Sequence, residues 1–243
     1  MVTGASSGIG RAVCCALAQR RAVLSLVART ADALHDTRRA IASEAAAVHE
    51  YRADLTNDKD VAALTDALKA DWGRVDILVH SAGLFLRGSV EEQPVADLDR
   101  LYRINVRAPY LLTQSLLPIM KGQDGGLGQI VFVNSLAGLH ARAGLSQYAA
   151  TKFALRALAD SVRQEVRGEG IRVMSVYPGR VATPMQRAVR RMEGGAYEPA
   201  SYAQPEDIAD VLVNALCLPA TAEVTDVSVY PFGGHGAESG GPA

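Results

Sequence analysis

Short apolar runs alternate with longer amphipathic ones along almost the whole chain, and that alternation leaves few folds open. The runs at 23–28, 47–53, 75–80, 129–134, 171–177 and 224–230 have the length of strands. The patterns between them, at 10–19, 32–43, 58–72, 95–120, 147–166 and 205–216, repeat with the period of helices. Strands that alternate with helices of ten residues or more are joined by crossover connections, which makes the sheet parallel. Parallel strands are covered on both faces and read as unbroken apolar runs, as Ile77-Leu78-Val79 and Ile130-Val131-Phe132-Val133 do. The expected fold is therefore α/β, a doubly wound parallel sheet with helices on both faces. A length of 243 residues suits one undivided domain of this class. That domain is expected to span 1–232, with the glycine-rich tail at 233–243 disordered.

Composition removes other classes of function. With 25 basic and 26 acidic residues, the net charge of −1 offers no electrostatic footprint for nucleic acid or an anionic membrane. No run approaches the 18 apolar residues of a membrane-spanning helix. Cys14 and Cys15 are adjacent and Cys217 is distant, a spacing that suits neither a disulfide framework nor a metal site. The chain opens directly into a glycine-rich turn, so a cytoplasmic location is expected.

That turn, Thr3-Gly4-Ala5-Ser6-Ser7-Gly8-Ile9-Gly10, is the first feature with chemistry in it. Glycines leading into a helix let backbone N–H groups and the helix dipole approach a pyrophosphate. The other reading is a tight strand-to-helix turn. Its position at the first βα junction is where open α/β sheets bind dinucleotides. At the end of the second strand an acid would hold a ribose 2′-hydroxyl, but Val27-Ala28 is followed by Arg29. A guanidinium there suits a 2′-phosphate, or is a solvated surface group. Asp54, before Leu55, either accepts from the adenine amino group or caps the helix beginning near Asp58.

The second feature is Tyr148-Ala149-Ala150-Thr151-Lys152, near the start of a helical pattern. Residues four apart share a helix face, so phenol and ammonium can address one site, although a surface pair reads the same way. A nearby cation favours the phenolate of a tyrosine whose ordinary pKa is about 10. Ser135 follows the apolar strand Ile130–Val133 at the carboxyl edge of the sheet and can hydrogen-bond a substrate oxygen. Asn105 stands inside the helical pattern 95–120, either facing inward to interrupt the ladder and hold a water, or facing solvent.

Taken together, the glycine loop, Ser135, Tyr148-x-x-x-Lys152 and Asn105, in this order and spacing, resemble the single-domain short-chain dehydrogenase/reductase family. The resemblance runs from Thr3 to about Tyr230. It implies a seven-stranded Rossmann sheet and an oxidoreductase that interconverts a carbonyl and a secondary alcohol with NADP(H) in preference to NAD(H). It implies Tyr148 as general acid–base, Ser135 orienting the substrate oxygen, Lys152 lowering the tyrosine pKa and binding the nicotinamide ribose, and Asn105 anchoring the water of a proton relay. The cofactor set it implies is Gly4, Ser6, Ser7, Gly8, Ile9, Arg29, Asp54, Leu55, Ala82, Gly83, Tyr148 and Lys152. Pro178, Gly179, Val181 and Thr183, after the sixth strand, complete that set near the nicotinamide, and no metal is expected. Segment 185–203 corresponds to the family's lid over the substrate. The end of the chain resembles the NADP-dependent hydroxy-acid and alcohol dehydrogenases more than the acyl-carrier-protein reductases.

Two departures stand out. Where the family usually has Asn-Asn-Ala-Gly, this chain has His80-Ser81-Ala82-Gly83, and His80 is expected to find a structural partner. Only Met1 and Val2 precede the loop. The first strand is thus expected to be truncated, and the natural chain to begin upstream with an apolar extension. In the lid, Arg187, Arg190 and Arg191 either meet an anionic substrate or form a solvated helix face, and His140 is a further candidate to line the pocket. The patterns 95–120 and 147–166 are too apolar for one buried face each, so a homodimer or homotetramer is expected. Two alternatives share the fold: a non-catalytic dinucleotide sensor, disfavoured by the four catalytic residue types, and an extended-branch epimerase or dehydratase, disfavoured by the chain length.

Overall fold

The computed structural model describes residues 1–121 and 127–232, and the expectation for the 233–243 tail lies outside the described residues. The strands are β1 (Val2–Thr3), β2 (Val23–Ala28), β3 (Ala47–Arg52), β4 (Ile77–His80), β5 (Gly128–Val133), β6 (Ile171–Pro178) and β7 (Asp226–Val229). All seven are parallel, in the order β3-β2-β1-β4-β5-β6-β7. The helices are α1 (Gly8–Ala18), α2 (Ala31–Ile41), α3 (Asp58–Trp72), α4 (Val95–Tyr102), α5 (Ala108–Lys121), α6 (Ser146–Glu165), α7 (Pro184–Met192) and α8 (Pro205–Leu216).

Successive strand residues point to opposite faces, and here both faces are apolar. On one face Leu24, Leu26, Val79, Val131, Val133 and Val176 pack beneath α1, α2 and α8. On the other, Val27, Leu78, Ile130, Phe132 and Val173 pack beneath α3, α5 and α6. Each fully buried Leu, Ile or Phe in these layers contributes about 1.5–3 kcal/mol. β1 has two residues, as short as its sequence. It still bridges the centre of the sheet, with Val2 opposite Leu26 on one side and Val79 on the other. Met1 extends the pairing, its N donating to Ile77 O at 2.8 Å and its O accepting from Val79 N at 3.0 Å.

The long helical pattern 95–120 is not one α-helix. A π-helical turn, Arg103–Arg107, separates α4 from α5 and carries Asn105. A second element, α7, falls in the basic segment after β6, where Met185, Ala188, Val189 and Met192 recur at helical spacing among the charged residues.

His80 ends β4 in the interior. Its ring stacks on Phe132 with centroids 4.9 Å apart, and Nε2 shares a 3.0 Å hydrogen bond with Thr113 Oγ1 of α5. The structural partner expected of it is therefore present. Burial pushes its pKa down to about 3, so the folded protein keeps this imidazole neutral. The unfolded chain takes up a proton near pH 6.5 that the folded chain refuses. The stability His80 confers is thus full above pH 6.5 and is lost as pH falls from there towards 3. Urea unfolding is expected to show this: between pH 7 and pH 5 the native protein should lose about 2 kcal/mol more than His80→Asn does. Parallel losses in the two proteins would assign the acid sensitivity to other groups.

Candidate active site

The carboxyl edge of the sheet gathers the loops after β1, β4, β5 and β6. Thr3 organises the first two. Its Oγ1 donates to Val79 O at 3.3 Å and accepts from Ser81 N and Ala82 N at 3.0 and 3.1 Å, which fixes the loop after β4 against β1. Gly4 then turns with φ of 66°, and a Cβ on it would lie 2.9 Å from Ala82 N. A Cβ on Gly10 would stand 2.3 Å from Gly4 O, so only glycine lets α1 begin this close to the strand. Ser7, the N-cap of α1, makes no side-chain cap. The first N–H groups of α1 therefore face the loop as donors, the donor set a pyrophosphate needs. Ser6 and Ile9 are half-buried beside them, and a Cβ on Gly8 would lie 3.1 Å from Thr183 Cγ2, which brings the loop after β6 over the glycine turn.

Arg29 is exposed at the end of β2. Arg52, the last residue of β3, donates Nε to Arg29 O at 3.2 Å, which sets its guanidinium against the Arg29 backbone. Asp54 is not the cap of α3. Asn57 is, accepting from Lys59 N at 3.0 Å. Asp54 Oδ1 instead accepts from Thr56 N and Thr56 Oγ1 at 2.9 and 2.7 Å, and these bonds, with the Arg29 charge, hold its carboxyl below the usual range. Leu55 is buried, its side chain in the core beside α3.

The second half of the site is built on β5 and α6. Ser135 follows β5 and caps a short 3₁₀ turn, Leu136–Gly138, its Oγ accepting from Ala137 N at 3.1 Å. Tyr148 lies in the first turn of α6, 7% exposed, with the ring of Phe85 edge-on at 4.8 Å. Burial pushes its pKa up to about 12, although a hydrogen bond with the Ser135 side chain opposes the rise. Lys152, one helical turn on and 5% exposed, places Nζ 5.8 Å from the centroid of the Tyr148 ring and donates to Val133 O at 3.2 Å. Burial brings its pKa down to about 8. At neutral pH the site therefore holds a protonated phenol beside a hydroxyl and a largely protonated amine, a set able to give a proton to a developing oxyanion.

Asn105 faces inward from the π turn. Its Oδ1 accepts from Leu84 N at 2.9 Å, and its Nδ2 donates to Leu84 O at 3.0 Å and to Thr151 Oγ1 at 3.1 Å. The amide thus ties the loop after β4 to α6, and Gly83 lies against it, where a Cβ would come within 3.2 Å of Oδ1. Pro178 closes β6. Gly179 lies where a Cβ would meet Leu136 Cδ1 at 3.3 Å, Val181 bridges to Ala203, and Thr183 caps α7 by accepting from Gln186 N at 3.1 Å.

Several supporting residues escaped the sequence reading. Asn134 donates Nδ2 to Lys152 O at 3.2 Å, and Thr151 Oγ1 donates to Tyr148 O at 2.8 Å, so both steady the helix that carries the phenol and amine. Arg52 carried a signal, a basic residue ending the strand next to Arg29, that was legible. The three arginines of segment 185–203 part company: Arg187 stacks on Tyr197 at 5.0 Å, Arg190 binds Glu193, and Arg191 is exposed. Among the described residues no helix is long and apolar enough to cross a membrane, and no cluster of His, Cys, Asp or Glu is set to hold a metal.

Known proteins match nearly the whole of this arrangement. An oxidoreductase of Staphylococcus epidermidis is 31% identical over 231 residues, covering 95% of this chain and 96% of its own. A glycine betaine reductase of Emericella nidulans is 32% identical over 237 residues, but the chain spans only 18% of that protein's length. Among solved structures, L-sorbose reductase from Gluconobacter frateurii, complexed with NADPH and L-sorbose, superposes with a TM-score of 0.84 at 27% identity, covering 95% of this chain and 94% of that one. The family model for short chain dehydrogenases matches residues 1–194, and the chain belongs to that family of oxidoreductases.

Proposed function

We propose that the protein interconverts a carbonyl and a secondary alcohol by hydride transfer with NADP(H), using Ser135, Tyr148, Lys152 and Asn105. The observation that carries this reading is the convergence at one sheet edge of the Ser135 hydroxyl, the buried Tyr148 phenol and the Lys152 amine 5.8 Å from the phenol ring. Similarity to a reductase solved with NADPH and a sugar supports the same class of chemistry.

The residues present fit the cofactor. Gly4, Ser6, Ser7, Gly8 and Ile9 offer backbone and an uncapped helix start to the pyrophosphate. Arg29, with Arg52 beside it, takes the 2′-phosphate, and Asp54 takes the adenine amino group with the oxygen that Thr56 leaves. Ala82 and Gly83 allow close backbone approach, while Pro178, Gly179, Val181 and Thr183 meet the carboxamide. Leu55 contributes backbone alone, since its side chain is in the core. When bound, the nicotinamide ring supplies the hydride in reduction and accepts it in oxidation.

In the reductive direction Ser135 Oγ donates to the carbonyl oxygen of the substrate and fixes it before Tyr148. Tyr148, kept protonated by burial, delivers its proton to that oxygen as charge develops there. The Lys152 ammonium stabilises the phenolate left behind. Asn105 holds the π turn in place against Leu84 and Thr151, where a water would return the proton from solvent. Segment 185–203 covers the substrate. The assembly is a homo-oligomer, supported by Tyr102, Tyr110 and Phe153, which α4, α5 and α6 leave 50%, 50% and 40% exposed.

Removing one oxygen tests the chemistry. Tyr148→Phe should lower turnover of ketones by about 10²–10⁴-fold while NADPH still binds, as titrated by fluorescence. Turnover within threefold of the native rate would remove Tyr148 from the role. Arg29→Ala should weaken NADPH by roughly 10–150-fold and leave NADH nearly unchanged, and equal weakening of both would make the arginine structural. Light scattering at micromolar concentration should return at least twice the chain mass, whereas a monomer would refute the assembly.

A further inference from the structure

A cavity of about 650 Å³ opens between α7 and the loops after β4 and β6, lined by Arg87, Gly88, Arg180, Arg190, Met192 and Glu193. Three guanidinium groups from three segments converge there on one carboxylate. Arg180 holds Glu193 with two bonds of 2.9 Å, one to each oxygen, Arg87 adds one of 3.0 Å and Arg190 one of 2.6 Å. The cluster is built into the backbone. Arg190 folds back over Gly195, where a Cβ would fall 1.9 Å from its Nη2, and donates Nε to Ala196 O at 3.1 Å. Gly88, beside Arg87, is held by its N donating to Gly144 O at 3.0 Å. Behind Gly88 lies Gln93, both of whose side-chain polar atoms are buried without a partner.

The cavity adjoins the chemistry. Arg87 stands two residues beyond Phe85, whose ring touches Tyr148, and two residues of extended chain span about 7 Å. Arg180 follows Gly179, which lies against Leu136, the residue after Ser135. Glu193 is the C-cap of α7 and precedes Gly194, whose φ of 69° is the left-handed conformation that ends the helix there. Burial raises the pKa of Glu193, but Arg180 and Arg190 outweigh it and hold the carboxyl below its usual range, so the group is anionic.

We propose that this cavity is the subsite for a carboxylate at the far end of the substrate, and that Glu193 fills in the free protein the position that carboxylate takes in the complex. The fork of Arg180 already grips a planar two-oxygen group side-on, the geometry arginine offers to carboxylates. Arg87, which gives Glu193 a single bond and is 35% exposed, is the anchor nearest to solvent. The substrate class is thus an oxo acid, or the matching hydroxy acid, in which a few carbons separate the reacting carbon from the carboxylate. This rests on the hydride-transfer reading and specifies it further.

The test uses levulinate, 5-oxohexanoate and 6-oxoheptanoate, each beside its methyl ester, with NADPH. At one chain length or more the native protein should favour the acid over its ester by about 10–100-fold in kcat/KM, the range of a charge-assisted contact. Arg87→Gln should bring that ratio within threefold of one, and Arg87→Lys should retain part of it. A ratio near one at every length in the native protein, or one that Arg87→Gln leaves intact, overturns the proposal. A second readout needs no turnover. In Tyr148→Phe with NADP⁺ bound, the favoured acid should raise the melting temperature and its ester should not. If no ketone is reduced yet the acid still stabilises the protein, the hydride-transfer reading falls and the carboxylate subsite stands. If ketones are reduced but no acid stabilises, the subsite falls alone.

Discussion

A methyl group on Gly10 would stand 2.3 Å from the Gly4 carbonyl, and one on Gly4 would stand 2.9 Å from Ala82 N. These two contacts, with the Thr3 hydroxyl spanning Val79, Ser81 and Ala82, lock the start of α1 and the loop after β4 onto one short strand. Much of the candidate site is positioned relative to that junction. Leu84 and Phe85 continue the same loop, Asn105 takes its bearing from Leu84, and Phe85 covers Tyr148. A strand of two residues can serve as a central element because its side chains and backbone are engaged on every side.

Burial acts differently on three of the buried titratable groups, His80, Lys152 and Tyr148. His80 has a neutral partner and an aromatic neighbour and stays uncharged. Lys152 keeps a carbonyl partner, and its lowered pKa of about 8 leaves it mostly protonated at neutral pH. Tyr148 is raised to about 12 and so holds its proton. The same desolvation that silences the histidine therefore leaves the phenol charged with a proton and the amine cationic. The difference follows from where each ordinary pKa starts relative to neutrality.

The sheet and its two covering layers were legible because apolar periodicity reports burial, and Leu78, Val79, Ile130 and Val131 are buried as their runs implied. The glycine turn and the spacing of Tyr148 and Lys152 were legible because they are local. What was not legible depends on pairings between distant segments. Glu193 reads as one acid in a basic stretch, and only the fold brings Arg87 and Arg180 to it. Helix α7 is short and mostly polar, and its period of Met185, Ala188, Val189 and Met192 spans barely two turns. Asp54 offered two equivalent readings until Asn57 took the cap. The wide apolar patterns at 95–120 and 147–166 mixed two things: Leu101, Leu112 and Leu116 serve the core, while Tyr102, Tyr110 and Phe153 remain outside it.

The π turn at Arg103–Arg107 has a consequence for how this chain tolerates insertion and deletion. A π turn amounts to one residue more than a regular helix would need, so α4 and α5 are out of phase by the 100° that a residue turns. Losing any single residue between 103 and 107 would let the two merge into one regular helix. The merger would rotate one half against the other and carry Asn105 away from Leu84. If α4 kept its place instead, Thr113 would leave His80, and Leu112 and Leu116 would leave the sheet. A point substitution in this stretch alters one contact, whereas a one-codon deletion would dislodge either the Asn105 contacts or one face of the core. Length, more than composition, is the property of this segment under constraint.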